Sequence, residues 1–480
     1  MTSVQDVFTR VEPSGGLSGF RLEFYDALTA RADALFELVD AMLCADGPVK
    51  SLVELSLAPE HRRGHGALYD AVNAGRVEFD RLRSAIGALP LPRAGDGRIT
   101  LAVDVSNWLR PDAAVSPGRL FCHVYGRGRS ADQFIPGWPY SFVAALESGR
   151  TSWTALLDAL RLTPADDATA VTAAQLREVV QRLIAAGHWA EGDPQILIVA
   201  DTGYDLPRIA HVLADLPVVI AGRVRSDRVF CFPAVNTYRR QGGRPSKHGS
   251  VFKLADPGSW PDPTHATCTE TTRYGSAVAS AWDRLHPRLT HRTSWIEDDG
   301  GLPLIEGTVI RLEVEHLPGG LHPKPVWLWA SLTGAHRALI DVLWQAYLRR
   351  FDLEHTFRMF KQTLGWTRPR LRDPKAADTW TWLVITAHTQ LRLARDHVAD
   401  LRRPWERPAA PRRLTPARVR RGFRNVRPAL PLPAGVPKPP RPGPGRPPGS
   451  RNRRPATVQN VGKTVKRDLT LTEHQKQQAG

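Results

Sequence analysis

Asp104, Asp201 and Glu354 are the residues whose types and placement could do chemistry in this chain. Glu354 lies in Tyr347-Leu-Arg-Arg-Phe-Asp-Leu-Glu-His-Thr-Phe-Arg-Met-Phe-Lys361, which reads Y-x2-R-x3-E-x6-K. At about 100° per residue, a continuous helix would bring Tyr347, Arg350, Glu354 and Lys361 within an arc of roughly 60°. One face would then carry four polar groups, with Phe351, Leu353, Phe357 and Phe360 filling in around it. Each aspartate ends a short apolar run, Ile99-Thr-Leu-Ala-Val-Asp104 and Gln195-Ile-Leu-Ile-Val-Ala-Asp201. Three carboxylates from three elements can hold divalent metal. Magnesium takes oxygen ligands, only one or two of them carboxylates. Two ions about 3.5–4 Å apart can activate water on one side of a phosphate and stabilise the leaving oxygen on the other. A single strand ending in Asp is common in α/β proteins. The helical spacing of four residue types is the specific part of the pattern.

The elements that must position these groups follow from apolar periodicity. Residues 17–97 read as helical, through Phe24, Leu28, Ala32, Leu35, Leu38 and Met42 and again through Val77, Leu82 and Ile86. Between them lies a basic turn, His61-Arg-Arg-Gly-His-Gly66. Strands are predicted at 99–104, 120–125 and 141–146, the later two antiparallel to the first. A helix over 173–188, a strand ending at Asp201, a helix over 206–214 and a strand over 218–224 follow. Strands first, then alternating helix and strand, imply a mixed sheet with helices on its faces. Residues 225–324 are rich in Thr, Arg, Gly and Pro and predict a mostly β insertion. Residues 325–330 return as a strand, followed by helices around 336–364 and 376–397.

Composition narrows the function. The chain has 480 residues, is 42% hydrophobic and has no apolar run near the roughly 18 residues of a membrane span. Its start lacks the charged-then-apolar pattern of a signal peptide. The four cysteines lie far apart with no C-x-x-C pair, which argues against a zinc ribbon or disulfide framework and for a reducing cytoplasm. The net charge is +17, and residues 401–480, with 20 Lys+Arg against 3 Asp+Glu, hold all of the excess. A basic tail on a neutral body points to a polyanionic partner. The stretch from Pro428 to Pro455 is too polar and proline-rich to fold alone.

The acids and the helical motif together resemble the bacterial insertion-sequence transposases of the DDE superfamily, in the branch marked by Y-x2-R-x3-E-x6-K. The resemblance covers roughly residues 98–398. It implies an α/β fold with an RNase H-like mixed sheet flanked by helices. The first Asp is expected on the first strand, the second after the fourth strand, and the Glu on a later helix. A β-rich insertion interrupts the core; the 153-residue separation of Asp201 and Glu354 fits such a member. The implied organisation is an N-terminal helical region at 1–97 for DNA-end recognition and a catalytic core at 98–224 and 325–398. The insertion occupies 225–324, and a disordered basic Pro/Arg-rich tail occupies 399–480.

The resemblance also implies Asp104, Asp201 and Glu354 as catalytic ligands of two Mg²⁺ ions, with Mn²⁺ able to substitute. It implies cleavage of element-end phosphodiesters by water and transfer of the freed 3′-OH into target DNA. The partners implied are double-stranded DNA, at element ends and target, and a second copy on DNA; nucleoid-associated cytoplasm is the expected location. Tyr347 and Arg350 would contact a phosphate near the cut end, and Lys361 the backbone. An i, i+4 ion pair of Arg350 with Glu354 is the alternative. Some members flip a base onto an aromatic residue of the insertion. Trp260, Trp282 and Trp295 are candidates, with core packing the commoner fate of any one. A nuclease of the same fold without strand transfer, or a non-catalytic DNA-binding relative, would share much of this pattern.

Two short segments add to the DNA reading. Gly445-Arg446-Pro447 in the tail resembles an AT-hook, and Gly243-Arg244-Pro245 repeats the tripeptide in the insertion. An Arg-bearing strip of this kind can enter a narrow minor groove, and a plain basic linker would contact phosphates alone. Arg62 and Arg63 are further candidate phosphate contacts. Removing residues 401–480 is expected to weaken DNA affinity and flatten its salt dependence, measured by titrating binding against salt.

Overall fold

The computed structural model describes residues 15–64, 66–124, 133–149, 151–235, 246–289, 302–317, 322–438 and 456–462. Tyr125, Arg244, Trp295 and Arg446 lie outside the described residues. Among those described, no helix is long and apolar enough to cross a membrane.

The N-terminal region is helical with one interruption. It contains α1 (Gly15–Asp26), α2 (Ala32–Cys44), α3 (Leu52–Leu55), α4 (Gly66–Ala74) and α5 (Phe79–Gly87). Leu28, expected in a helix, instead lies in β1 (Leu28–Ala30), paired antiparallel with β2 (Arg76–Val77). Arg31, in the left-handed region at φ 57°, breaks the helical run just before α2. Every residue of α2 from Ala34 to Cys44 is buried, including Glu37 and Asp40. Buried carboxylates need charged partners. Asp40 is held by Arg21 at 2.7 and 3.0 Å. Arg62 donates to Glu37 at 2.8 Å, and Arg63 to Asp33 at 2.9 Å. The two arginines expected at DNA phosphates are thus ion-paired within the chain, although Arg62 remains exposed.

The sheet core begins with β3 (Thr100–Leu109), β4 (Leu120–Val124), β5 (Gln133–Leu146) and β6 (Thr154–Arg161). After α6 (Ala168–Ala185) come β7 (Ile196–Ala200), α7 (Leu206–Val212) and β8 (Val218–Val224). β3 pairs antiparallel with β5 and parallel with β7, which is parallel to β8. β5 also carries β4 along its first part and β6 along its second. Asp104 lies on β3, the first strand of this sheet, and Asp201 follows β7, its fifth strand in chain order rather than the fourth.

β6 is absent from the sequence reading. Its Thr-Ala-Leu-Leu-Asp-Ala-Leu-Arg composition favours helix. Its first six residues are all buried, so it shows no alternation to betray a strand. Asp158 within it is matched by Arg83 at 2.9 Å and Arg182 at 3.2 Å.

Beyond β8 the chain forms β9 (Val229–Pro233), β10 (His248–Lys253), β11 (His265–Thr271), β12 (Gly275–Pro287) and β13 (Gly307–Val314). β13 pairs with β14 (Val326–Ala330), and β14 pairs with β8. The β-rich segment therefore extends the core sheet, which reaches 12 strands. β12 pairs with β11 and β13, then reaches β9 beyond an irregularity between Trp282 and Leu285. Arg284 sits within it at φ 59°. Trp282 packs among Phe252, Trp260 and Trp327 and is buried, so the core reading holds for it. Trp260 is half-buried beneath the Arg311 guanidinium, 5.4 Å from its ring centre.

The C-terminal part contains α8 (Arg337–Arg349), α9 (Phe351–Gln362), α10 (Pro374–Ala394) and α11 (Pro416–Val426). α10 lies against α2 and β6, and α11 against α2 and α10. The basic stretch expected as a tail from 399 is thus docked on the body as far as Lys438. Leu414, Val419, Phe423 and Leu430 are buried. Arg427 completes the shell of Asp40 at 3.0 Å, Arg421 pairs with Glu406 at 2.6 Å, and Arg418 pairs with Asp400. Residues 456–462 reach the outer edge of β4, where Gly462 bridges to Leu120. The apolar face of α11 turns part of a charge run into core, and the basic residues on its other faces had masked it. Phe423→Ala is expected to cost about 3–5 kcal/mol of stability, read by denaturant unfolding. A loss below about 1 kcal/mol would show that α11 is only loosely attached. The deletion expected to report on DNA contacts should accordingly start after Lys438, so that the fold survives it.

Candidate active site

The parallel pairing of β3 with β7 sets the site. Ala102 lies opposite Val199, so two residues further on Asp104 comes level with Asp201. Asp201 directly follows β7, as its apolar run predicts. Asp104 does not end its strand, because β3 continues to Leu109 with β5 paired along it. Its backbone is thereby fixed against Phe142 of β5.

The helix predicted over 336–364 is two helices meeting at Arg350. The Arg350 N–H bonds the Tyr347 carbonyl at 3.1 Å, and the Leu353 N–H bonds the Arg350 carbonyl at 3.0 Å. These three-residue steps tighten the backbone where α8 passes into α9. Arg350 points inward with 3% of its side chain exposed. Its Nη1 donates to Asp104 Oδ2 at 2.8 Å and its Nη2 to Asp201 Oδ2 at 3.3 Å. The guanidinium fork therefore spans both carboxylates, and the i, i+4 ion pair with Glu354 is not formed. The Arg350 Nε has no hydrogen-bond partner.

Further groups fix the aspartates. Asp104 Oδ1 accepts the Val105 N–H at 2.8 Å. Asp201 Oδ1 accepts the Tyr347 hydroxyl at 3.5 Å and the Thr202 hydroxyl at 3.3 Å. Burial pushes the Asp104 carboxyl up to about 6, against the pull of Arg350 and the Val105 N–H; Asp201 and Glu354 add to the rise. Burial likewise lifts the Tyr347 phenol to about 12, with Asp201 contributing. The Tyr204 phenol is raised well above its usual range by burial and then by Asp104, and its buried hydroxyl has no partner. Thr202 and Tyr204 escaped the sequence reading, although the Thr-Gly-Tyr run directly after Asp201 was the signal that could have found them.

Tyr347 and Arg350, expected at a DNA phosphate, are turned to the aspartates here. Lys361 is half-buried, with its ammonium 5.7 Å from the Trp366 ring centre. Burial lowers its pKa, while Cys122 and Asp104 oppose the shift. Glu354 lies on the exposed side of α9. Among the described residues, no three His, Cys, Asp or Glu side chains converge closely enough to hold an ion. Glu354 thus stands apart from the aspartate pair, though its charge is felt at Asp104 and Arg350.

The donor chemistry suits a hard divalent cation. Two carboxylates on neighbouring strands offer oxygen ligands only. A guanidinium already bridges them, so the pair is shaped to face positive charge. A family model described as "DDE superfamily endonuclease" matches residues 23–288, more than half of the chain and a span that includes both aspartates. No curated protein matches the chain.

Replacing Arg350 with Ala leaves two facing carboxylates unmatched. That variant is expected to lose on the order of 2 kcal/mol of stability in chelator, and added Mg²⁺ should restore part of it. Thermal unfolding with and without Mg²⁺ checks this. Equal melting in both conditions would speak against a cation site at the aspartates.

Proposed function

The chain belongs to the DDE superfamily of endonucleases, and on that footing we propose that it is an insertion-sequence transposase. It cuts phosphodiesters at element ends by water and joins the freed 3′-OH to target DNA. The observation that supports this reading is the Arg350 fork across Asp104 and Asp201, which brings both aspartates and a guanidinium to one point. In this reading Asp104 and Asp201 would hold Mg²⁺, with Glu354, which stands apart from the pair here, as the third ligand to be brought in. The metal would supply Lewis-acid polarisation of the phosphate and a water that ionises near neutral pH.

The remaining roles belong to the chain itself. Arg350 has the planar donor fork that suits a phosphate's oxygens. Tyr347 and Thr202 orient Asp201 through hydroxyl donors, and the Val105 N–H orients Asp104. Lys361, packed on Trp366, supplies positive charge on the Asp104 side for the DNA backbone. The partner is double-stranded DNA, and joining two ends to one target asks for two copies of the chain.

Asp104→Asn, Asp201→Asn and Glu354→Gln are each expected to lower Mg²⁺-dependent cleavage of the element end by at least about 10³-fold while DNA binding persists. Full cleavage by any one would remove that residue from the site. Cleavage by the unaltered protein without joined product would make it a nuclease that does not transfer strands.

A further inference from the structure

A second cleft opens on the face of α8 and α9 next to the one that carries Arg350. It encloses about 860 Å³ between four segments distant in sequence, one of them the loop with Gly149, Thr151 and Trp153 that leads into β6. One wall is the turn from β11 into β12, with Arg273 and Tyr274; the floor is the helix face holding Arg349, Asp352 and His355. The third wall is the C-terminal turn carrying Arg412 and Arg413.

The walls are fixed in place. Asp341 on α8 accepts the Thr267 hydroxyl at 2.7 Å and the Thr269 hydroxyl at 3.2 Å, tying β11 to the helix. The Trp153 indole donates to the Leu414 carbonyl at 2.6 Å and anchors the C-terminal turn. The charge within is unbalanced. Arg349 is matched by Asp352 at 3.3 Å. Arg273, Arg412 and Arg413 are exposed and form no ion pair among the described residues, and Glu270 is the remaining acid of the lining. Thr272 on the β11–β12 turn, Thr415 on the C-terminal turn and Thr151 on the loop before β6 line the same space.

We infer that this cleft binds the phosphodiester backbone of DNA at a second place, beside the helix that carries Glu354. Three guanidinium groups without an ion pair, Arg273 among them over the Tyr274 ring at 5.4 Å, suit successive phosphates, and hydroxyls supply neutral donors between them. Asp352 and His355 flank Glu354 in sequence, so a strand seated here passes along the catalytic helix. The inference rests on the endonuclease reading. The backbone could belong to the element end or to the target, since the chemistry is the same.

The test uses the full chain with Arg273→Gln, Arg412→Gln and Arg413→Gln combined, and a companion with Lys at the same positions. The probes are a duplex carrying the element terminus and a duplex of unrelated sequence. Binding is titrated against salt. Each phosphate contact contributes about 0.9 to the slope of log affinity against log salt, so the Gln variant should lose about 2–3 from the slope and the Lys variant should keep it. Loss on both duplexes assigns the cleft to any DNA backbone, including a target. Loss on the terminus alone assigns it to the element end. An unchanged slope in the Gln variant, with cleavage by the unaltered protein intact, overturns this inference alone. Absence of any DNA binding or cleavage by the unaltered protein overturns the endonuclease reading and this inference with it.

Discussion

Two carboxylates brought level on adjacent parallel strands repel each other, and this chain resolves the repulsion with one guanidinium. Arg350 meets Asp104 and Asp201 at 2.8 and 3.3 Å from a position that is almost fully buried. The arginine is dry while the carboxylates keep 20% and 35% of their side chains exposed, and burial lifts Asp104 to about 6 against the pull of Arg350. The architecture around it follows from the need to deliver that arginine. The parallel β3–β7 pair fixes the aspartates, and the tightened junction of α8 and α9 turns Arg350 inward. β11 clamps α8 through Asp341, so the β-rich segment contributes to the placement of a residue it does not itself contain.

The same geometry separates Glu354 from the pair. A continuous helix would have put Arg350 and Glu354 on one stripe facing one way. The break at Arg350 gives them different surroundings, one buried against the sheet and one at the surface. Glu354 thus sits on the exposed side of α9, and the three acids do not form a closed cage. An arrangement that is half assembled and half open suits a site whose substrate, a DNA backbone, is large and must enter from outside.

Much of this was readable in the sequence, because short apolar runs ending in Asp and a four-residue helical spacing are local signals. Asp104, Asp201 and the helix around Glu354 were found that way, as were α7, β8 and the strand-rich segment. What escaped depended on distant partners. β6 is buried on both faces and built of Ala and Leu, so neither its pattern nor its composition marks a strand. Arg62 and Arg63 read as DNA contacts because nothing local says that Glu37 and Asp33 wait for them. The bridge from Arg350 to the aspartates was equally hidden, because they lie 246 and 149 residues away. α11 was hidden in a basic, proline-rich stretch whose few apolar residues become meaningful only against α2.

Asp40 gives the fold a temporal constraint. Its carboxylate is shared by Arg21, 19 residues earlier, and Arg427, 387 residues later. During synthesis at roughly 5–20 residues per second, the central helix of the N-terminal region waits roughly 20–80 s for its last guanidinium to emerge. Until then α2 keeps an apolar side that only α10 and α11 can cover. The N-terminal helices therefore cannot mature as an independent unit ahead of the sheet. A ribosome that stops before the fifth arginine of α11 and its border leaves a chain with both aspartates in place and its first helices still open, a ready substrate for proteases.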